Sequence, residues 1–275
     1  TSHSFNTGIE FDLFGGRLSG GFEYFSRKTT DMLYYRPVPN SLGYSSYPMN
    51  VGSMINKGIE LDLHGTIIKT KDIEWGMNFN LTHFKNEIIE LHPDLNGEWI
   101  SGSYIYREGE SSYQFYMREW AGVDQETGEA MWYKDIKDQN GNVTGRETTK
   151  TYADATRYGT GDILPKVYGG FGTTFNAYGF DLSLSFAYQL GGKIYDNTYA
   201  ALMHTDGGDF GTNWHKDILN SWSETNKNSN IPRNAYNDVY SSSMSTRFIT
   251  SSDYLSLQNI SLGYTLPKKL TQKMQ

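Results

Sequence analysis

SFNTGIEFDLFGGRLSGGFEYF, residues 4–25, decides the fold. Phe5, Thr7, Ile9, Phe11 and Leu13 fall on one face of an extended chain, and Ser4, Asn6, Gly8, Glu10 and Asp12 fall on the other. Gly15-Gly16 predicts a tight turn, after which Leu18, Gly20, Phe22 and Tyr24 oppose Ser19, Gly21 and Glu23 in a returning strand. The unit is a two-faced hairpin, apolar on one side and polar on the other.

The same pattern recurs downstream. Ile59, Leu61, Leu63 and Ile67 alternate with Glu60, Asp62, His64 and Thr66, and a turn at Lys69-Thr70-Lys71-Asp72 leads into Ile73, Trp75, Met77, Phe79 and Leu81. A third hairpin runs from Val167, Phe171 and Phe175 through a turn at Ala177 to Gly179 into Phe180, Leu182, Leu184, Phe186 and Tyr188. A seventh strand is expected from Tyr254 to Leu266. Connections near residues 15, 70 and 178 are short, whereas those at about 27–53, 85–164 and 190–253 are long. Loop length segregated by end is the habit of outer-membrane barrels, with short periplasmic turns and long extracellular loops, and a soluble sandwich has no reason for it. Phe11, Phe14, Trp75, Tyr178, Phe180 and Tyr264 gather at the short-turn ends, where an aromatic girdle meets the lipid interface, and Tyr24, Phe84 and Tyr188 sit toward the other end. The expected fold is therefore all-β: about seven antiparallel strands of a transmembrane β-barrel, with long extracellular loops. Residues 1–275 are read as part of one barrel domain. Open edges on both sides imply further strands from the same polypeptide.

Composition agrees. Twenty-one Tyr, 14 Phe and 6 Trp bring aromatic content to 15%, a β-rich profile. A mean hydropathy of −0.59 excludes a helical span but not a barrel wall, which averages its two faces. The absence of cysteine removes disulfides, thiol catalysis and Cys-ligated zinc. A net charge of −7 without a Lys/Arg block argues against nucleic acid as a partner. Nothing at Thr1 resembles a signal peptide, and the chain reads as an internal piece of a longer one.

Candidate functional residues fall into two groups. Glu10, Asp12, Glu60, Asp62 and Glu74 share the polar face and are expected to line the lumen; such carboxylates either pair with basic groups inside the barrel or need only water. Tyr35, Tyr44, Tyr47, Trp99, Tyr106, Trp120, Trp132 and Trp214 lie in the long connections, where aromatic faces stack on sugar rings, anchor a partner protein, or pack the loops. Gln114–Val123 and Glu129–Tyr133 read as a loop hairpin around Asp124 to Gly128, and Phe210–Trp222 as a short amphipathic helix. Six scattered histidines lack metal-site spacing, Asp206-Gly207-Gly208-Asp209 reads as a plain turn, and Gly169-Gly170-Phe171-Gly172 sits within a strand without a following lysine. No catalytic constellation, cofactor or metal is expected, so the chain is not read as an enzyme.

Five blocks in order carry a family resemblance: 4–34, 50–88, YMREWAGVDQETGEAMWYKD (116–135), 159–196 and DYLSLQNISLGYTLPKKL (253–270). Together they resemble the SusC/RagA branch of TonB-dependent outer-membrane receptors from Bacteroidota, over the whole chain. The resemblance implies a barrel of about 22 strands with a lumen plug, energised through TonB by a missing N-terminal region. It also implies a SusD-like surface lipoprotein partner and uptake of an oligosaccharide or, second, a peptide. The plug, TonB-binding segment and remaining strands are not in this sequence. Two competing readings stand beside it: a passive porin or surface adhesin on a similar barrel, and a secreted carbohydrate-binding β-sandwich that would be soluble without detergent.

Overall fold

A computed structural model describes residues 1–267 except Pro39, Val51, 204–212, Asn237 and Val239, and only the backbone of Tyr34, Arg36 and Pro37. In chain order the first strands are β1 (Ser2–Leu13), β2 (Leu18–Thr29), β3 (Leu33–Pro37), β4 (Ser46–Asn50), β5 (Gly52–Lys69) and β6 (Ile73–Leu91). Next come β7 (Glu98–Ser101), β8 (Tyr104–Arg107), β9 (Gln114–Arg118), β10 (Trp120–Val123), β11 (Ala130–Lys137), β12 (Val143–Thr149) and β13 (Arg157–Asp162). The last are β14 (Val167–Ala177), β15 (Phe180–Leu190), β16 (Lys193–Tyr195), β17 (Ile249–Ser251) and β18 (Tyr254–Tyr264). Seven of them form one antiparallel sheet in the order β1-β2-β5-β6-β14-β15-β18, and the sheet does not close on itself.

Register carries the two-faced pattern across the entire wall. Ile9, Phe22, Leu61, Leu81, Gly169, Tyr188 and Leu255 are successive cross-strand neighbours through all seven strands. A slip of one residue anywhere would turn a strand's apolar set to the polar side. Two bulges preserve it where strict alternation would fail. The extra residue Ile67 brings Ile68 opposite Trp75, and the extra Gln258 keeps Leu257 and Ile260 on the face of Phe186 and Leu184. Gly169 is demanded by crowding, since a Cβ there would lie 2.1 Å from the Asn80 carbonyl oxygen. Over it the Tyr188 hydroxyl donates to that same carbonyl at 3.0 Å.

The turns at one end are Phe14–Arg17, the three residues 70–72, and Tyr178-Gly179. Tyr178 and Gly179 have φ of 52° and 91°, the pair of positive values that a two-residue hairpin of this twist requires. Phe14 and Tyr178 are more than 70% exposed there, the rings of Phe180 and Tyr264 meet at 4.5 Å between centroids with a 42° tilt, and the Trp75 indole donates to Thr173 Oγ1 at 2.8 Å. Phe84 departs from the girdle expected of it. Its cross-strand neighbour is Gly58, in the row that begins at Asn6 and Phe25, so it belongs to the polar face.

Among the described residues none covers the apolar face of the wall. Ile9 is 71% exposed and Leu262 72%. Every buried apolar residue among the described ones lies in or beside the long connections, from Ile88 and Leu91 through Ile105, Phe115 and Trp132 to Met203 and Phe248. A soluble sandwich would show the reverse, with strand faces buried against a second sheet. Wall strands of eleven or twelve residues at about 3.3 Å per residue, tilted by about 40°, rise about 28–30 Å, the thickness of a bilayer's hydrocarbon.

The long connections fold into small sheets, β10-β11-β12 and β13-β9-β8-β7, and the pairs β3-β4 and β16-β17. The expected loop hairpin is present in its inner part, Trp120–Val123 against Ala130–Trp132 with Trp120 opposite Trp132, whereas Gln114–Arg118 departs from it and pairs with β8 and β13 in the other loop sheet. The helix expected over Phe210–Trp222 is not: residues 210–212 lie outside the described set, and the chain beyond them makes a 3-10 turn at Lys216–Asn220 in which Ile218 is buried and Leu219 exposed. The one α-helix among the described residues, α1 (Asn197–Leu202), stands upstream and is capped by Asp196. Asp206 to Asp209 lies outside the described residues.

Candidate functional site

The polar face is concave. A hollow of about 760 Å³ opens on it, lined by Glu10, Glu23, Glu60 and Asp62 among others. Two rows explain this grouping: Gly8, Glu23, Glu60, Thr82 and Tyr168 are successive neighbours, and so are Glu10, Gly21, Asp62, Asn80 and Gly170. Glu10 and Asp62 are thus two strands apart, about 10 Å, while Glu23 and Glu60 stand directly opposite one another. Asp62 pairs with His64 Nε2 at 2.7 Å. Asp12 lies one row nearer the short turns, opposite Ser19. Glu74 lies at the short-turn end between Lys69 and Asn176, so it does not join the other carboxylates.

The loop aromatics divide by burial. Tyr35, Tyr44 and Tyr47 are exposed on or beside the β3-β4 hairpin, and Trp214 is 45% exposed. Trp99 and Tyr106 are cross-strand partners stacked at 4.4 Å and 17°. Trp132 is 1% exposed, its ring edge-on to Trp120 at 5.8 Å and to Tyr152 at 5.2 Å. It forms loop core and has no free face for a ligand. Trp120 is covered in turn by the Arg247 guanidinium at 5.1 Å, which burial pushes down to about 10.

A clamp joins the long connections. Lys150 Nζ lies 2.7 Å from both Asp124 and Glu129, Arg233 donates to the Thr127 carbonyl at 3.0 Å, and the Trp222 indole donates to the Gln125 carbonyl at 3.0 Å. The Lys150 hydrogen bond, with backbone N–H groups of Glu126 and Thr127, holds the Asp124 carboxyl at about 2. The same lysine lowers Glu129, and the Asp124 bond raises Lys150. Gly128, at φ 74°, lies so close under the Trp222 ring that a Cβ would sit 2.4 Å from it. Sequence reading found the Asp124–Gly128 turn but not the cation from 150 or the arginine from 233, which spacing along the chain does not reveal.

Sequence reading also missed three aromatic rings on the concave side. Phe25, Phe84 and Tyr168 line a second hollow of about 430 Å³ beside the acidic one. The signal was present, since Phe84 shares parity with Asn78, Asn80 and Thr82.

One open sheet, apolar and bare on its convex side, polar and hollowed on the other, with its packed core displaced into loops at one end, defines a segment of a strand-built membrane barrel wall. Comparison with known proteins names the family. Residues 1–271 match the family model described as TonB dependent receptor-like, beta-barrel, and the chain belongs to that family. TonB-dependent receptor P3 of Formosa agariphila is 32% identical over 99% of this chain and 28% of its own length. TonB-dependent receptor SusC of Bacteroides thetaiotaomicron is 24% identical over 95% of this chain and 26% of its own. A solved structure of the RagAB peptide transporter matches with a TM-score of 0.80 and 31% identity, over 98% of this chain and 29% of that one. The resemblance to the SusC/RagA branch is borne out, and these relatives are receptors and transporters rather than enzymes. The chain spans about 28% of the length of the curated relatives it matches.

Proposed function

We propose that this chain is part of the outer-membrane wall of a TonB-dependent importer that takes up a nutrient, an oligosaccharide or a peptide, together with a SusD-like surface lipoprotein. The apolar face meets outer-membrane lipid, the concave carboxylates face the lumen, and the long loops with Tyr35, Tyr44, Tyr47, Trp99, Tyr106 and Trp214 face outward toward solute and partner. The observation that carries this reading is the apolar row continuous through seven strands and covered by none of the described residues. Hydrocarbon is the solvent that stabilises such a face, because bare apolar area of this extent in water associates with itself. Energy coupling is assigned to regions of the full-length protein beyond this sequence. The test is fractionation of cells making the full-length protein, followed by solute uptake with and without an energised inner membrane. Recovery in the outer membrane and energy-dependent accumulation support the reading. Recovery as a soluble periplasmic protein, or accumulation indifferent to energy as a passive porin gives, overturns it.

A further inference from the structure

The apolar face changes chemistry at its upper end. On β1, β2, β5 and β6 it carries no charged side chain from Leu13, Leu18, Leu63 and Trp75 up to Thr7, Tyr24, Ile59 and Leu81. The next two rows on the same face read Phe5, Ser26, Lys57, Lys85 and then His3, Lys28, Ile55, Glu87. Ser26 and Lys28 are eight and ten residues beyond Leu18. At about 3.3 Å per residue and a tilt of about 40°, these rows stand about 20–25 Å above the short turns, at the outer edge of an apolar band about 25 Å tall. Glu87 lies 2.8 Å from Lys85 Nζ and 3.8 Å from Lys57 Nζ, and the two lysine side chains remain 58% and 46% exposed. Lys28 beside them leaves this belt with a surplus of positive charge.

The belt ends in a hollow. The ladder between β6 and β14 stops at Thr82 and Tyr168. Beyond it a space of about 480 Å³ opens between β6 and the chain at 161–166, lined by His83, Lys85, Lys166 and Lys193 among others. Glycines seat two of these lysines. A Cβ at Gly161 would lie 2.7 Å from Lys193 Nζ, and one at Gly191 would lie 2.8 Å from Lys166 Cγ. Lys193 Nζ donates to the Thr160 carbonyl, and His83 Nδ1 to that of Lys166. Among the described residues the one carboxylate lining the space is Asp162, which accepts from the Leu164 N–H at 2.9 Å.

Placement selects the ligand. A soluble anion bound for the lumen gains nothing from cations on the outer side of the wall, and a neutral sugar gains little from ammonium groups. An amphiphile matches both parts of this face. Its acyl chains lie along Phe79, Leu81 and Ile59, and its anionic head meets Lys57, Lys85 and the hollow. A phosphate monoester carries about −1.5 to −2 charge and three strong acceptor oxygens, so one group can be shared among several ammonium groups.

We propose that the lysine belt of β2, β5 and β6, with the hollow at its end, binds the phosphorylated headgroup of an outer-leaflet lipid. The assignment rests on the outer-membrane reading and adds to it which lipid the wall selects and where.

The experiment titrates the full-length receptor in detergent micelles with lipid A carrying two phosphates, with the same lipid freed of phosphate, and with inorganic phosphate, and reads bound molecules by native mass spectrometry. The phosphorylated lipid is expected to bind more tightly than its dephosphorylated form, and less so as salt rises. Lys57→Gln with Lys85→Gln is expected to weaken it about twenty-five-fold, from about fivefold for each lysine near a membrane surface. Lys57→Arg with Lys85→Arg keeps the charge and is expected to keep the binding. Lys166→Gln, outside the wall ladders and so independent of how the wall folds, is expected to weaken it about fivefold. Lys71→Gln, in a short turn at the opposite end, is expected to leave it unchanged. Equal affinity for the two lipids overturns the assignment, as does unchanged binding in both the glutamine pair and Lys166→Gln. Displacement of the lipid by equimolar inorganic phosphate also overturns it, because the site would then take a soluble anion. If the receptor stays in the outer membrane and accumulates solute while these variants bind the lipid normally, only this assignment fails. If it is absent from the outer membrane, the importer reading fails with it.

Discussion

Leu61 and Asp62 are sequence neighbours on opposite faces of β5, and together they test the proposed assignment of one face to lipid and the other to the lumen. Leu61 stands between Phe22 and Leu81 on the apolar face, and Asp62 between Gly21 and Asn80 on the concave one. Phe22 is four residues beyond Leu18, where the short turn ends. At about 3.3 Å per residue and a tilt of about 40°, that places the row about 10 Å above the turn, close to the middle of an apolar band about 25 Å tall. Arginine at Leu61 is therefore expected to cost about 2–4 kcal/mol, the range for a basic side chain on a barrel's lipid face at the midplane. That corresponds to about a thirty- to thousandfold fall in the folding equilibrium constant. Arginine at Asp62 gives up an exposed contact with His64 Nε2, worth about 1 kcal/mol at most, and otherwise places a charge in water. Urea unfolding of the full-length protein in liposomes, followed by tryptophan fluorescence, measures both. Equal costs, or a larger cost at Asp62, would refute the assignment of faces and with it the lumen reading.

Gly58→Val should destabilise the wall by about 1–3 kcal/mol through overpacking, because its Cβ would lie 2.3 Å from the His83 carbonyl oxygen; the same unfolding assay reads it. Trp132→Ala should cost the loop region about 3–5 kcal/mol, visible as faster protease cleavage between residues 92 and 166 while the wall strands stay protected; protection unchanged in both regions would show that Trp132 is not loop core. The clamp should respond to acid but not to mild changes of pH. Asp124 is held at about 2, below its ordinary 3.8, so its contribution is complete above about 4 and is lost as pH falls from there toward 2. Hydrogen exchange at residues 124–128, corrected for intrinsic rates, should be flat from pH 8 to 5 and rise below 4. Asp124→Asn should exchange fast throughout.

The wall was legible because period two is local and needs no knowledge of partners. Phe5 through Leu13 and Ile59 through Leu63 report their face one residue at a time, and loop lengths report the ends. Phe84 was misplaced for a simple reason: its height along the strand suggested the girdle, while its parity with Thr82 places it on the concave face. The loops were less legible because distant contacts decide them. Trp214, Ile218, Leu219 and Trp222 have helical spacing, yet Trp222 is drawn onto Gly128 and the Gln125 carbonyl, almost a hundred residues away in sequence, and the backbone between them adjusts to that contact. Trp132 looked like Trp99 or Trp214 in the sequence; only the packing of Trp120, Tyr152 and Ala155 around it distinguishes a core ring from a free one. The SusC/RagA blocks supplied the family, which alternation alone does not.

Strands β5 and β6 run to 18 and 19 residues, against 11 or 12 for the rest of the wall. On the side of β14 the pairing of β6 stops at Thr82, so its last nine residues run on past that neighbour, whereas on the side of β2 the pairing of β5 continues to Met54. There the Asn86 amide bonds Asn56 across the ladder at 2.8 Å and accepts from both Ser112 N and Ser112 Oγ. The result is a step in the rim of the wall between β6 and β14, with the loop segment at Ser112 held against it. A push on that step is carried by the backbone ladders of β2, β5 and β6 straight into the rows that hold Glu60 and Asp62.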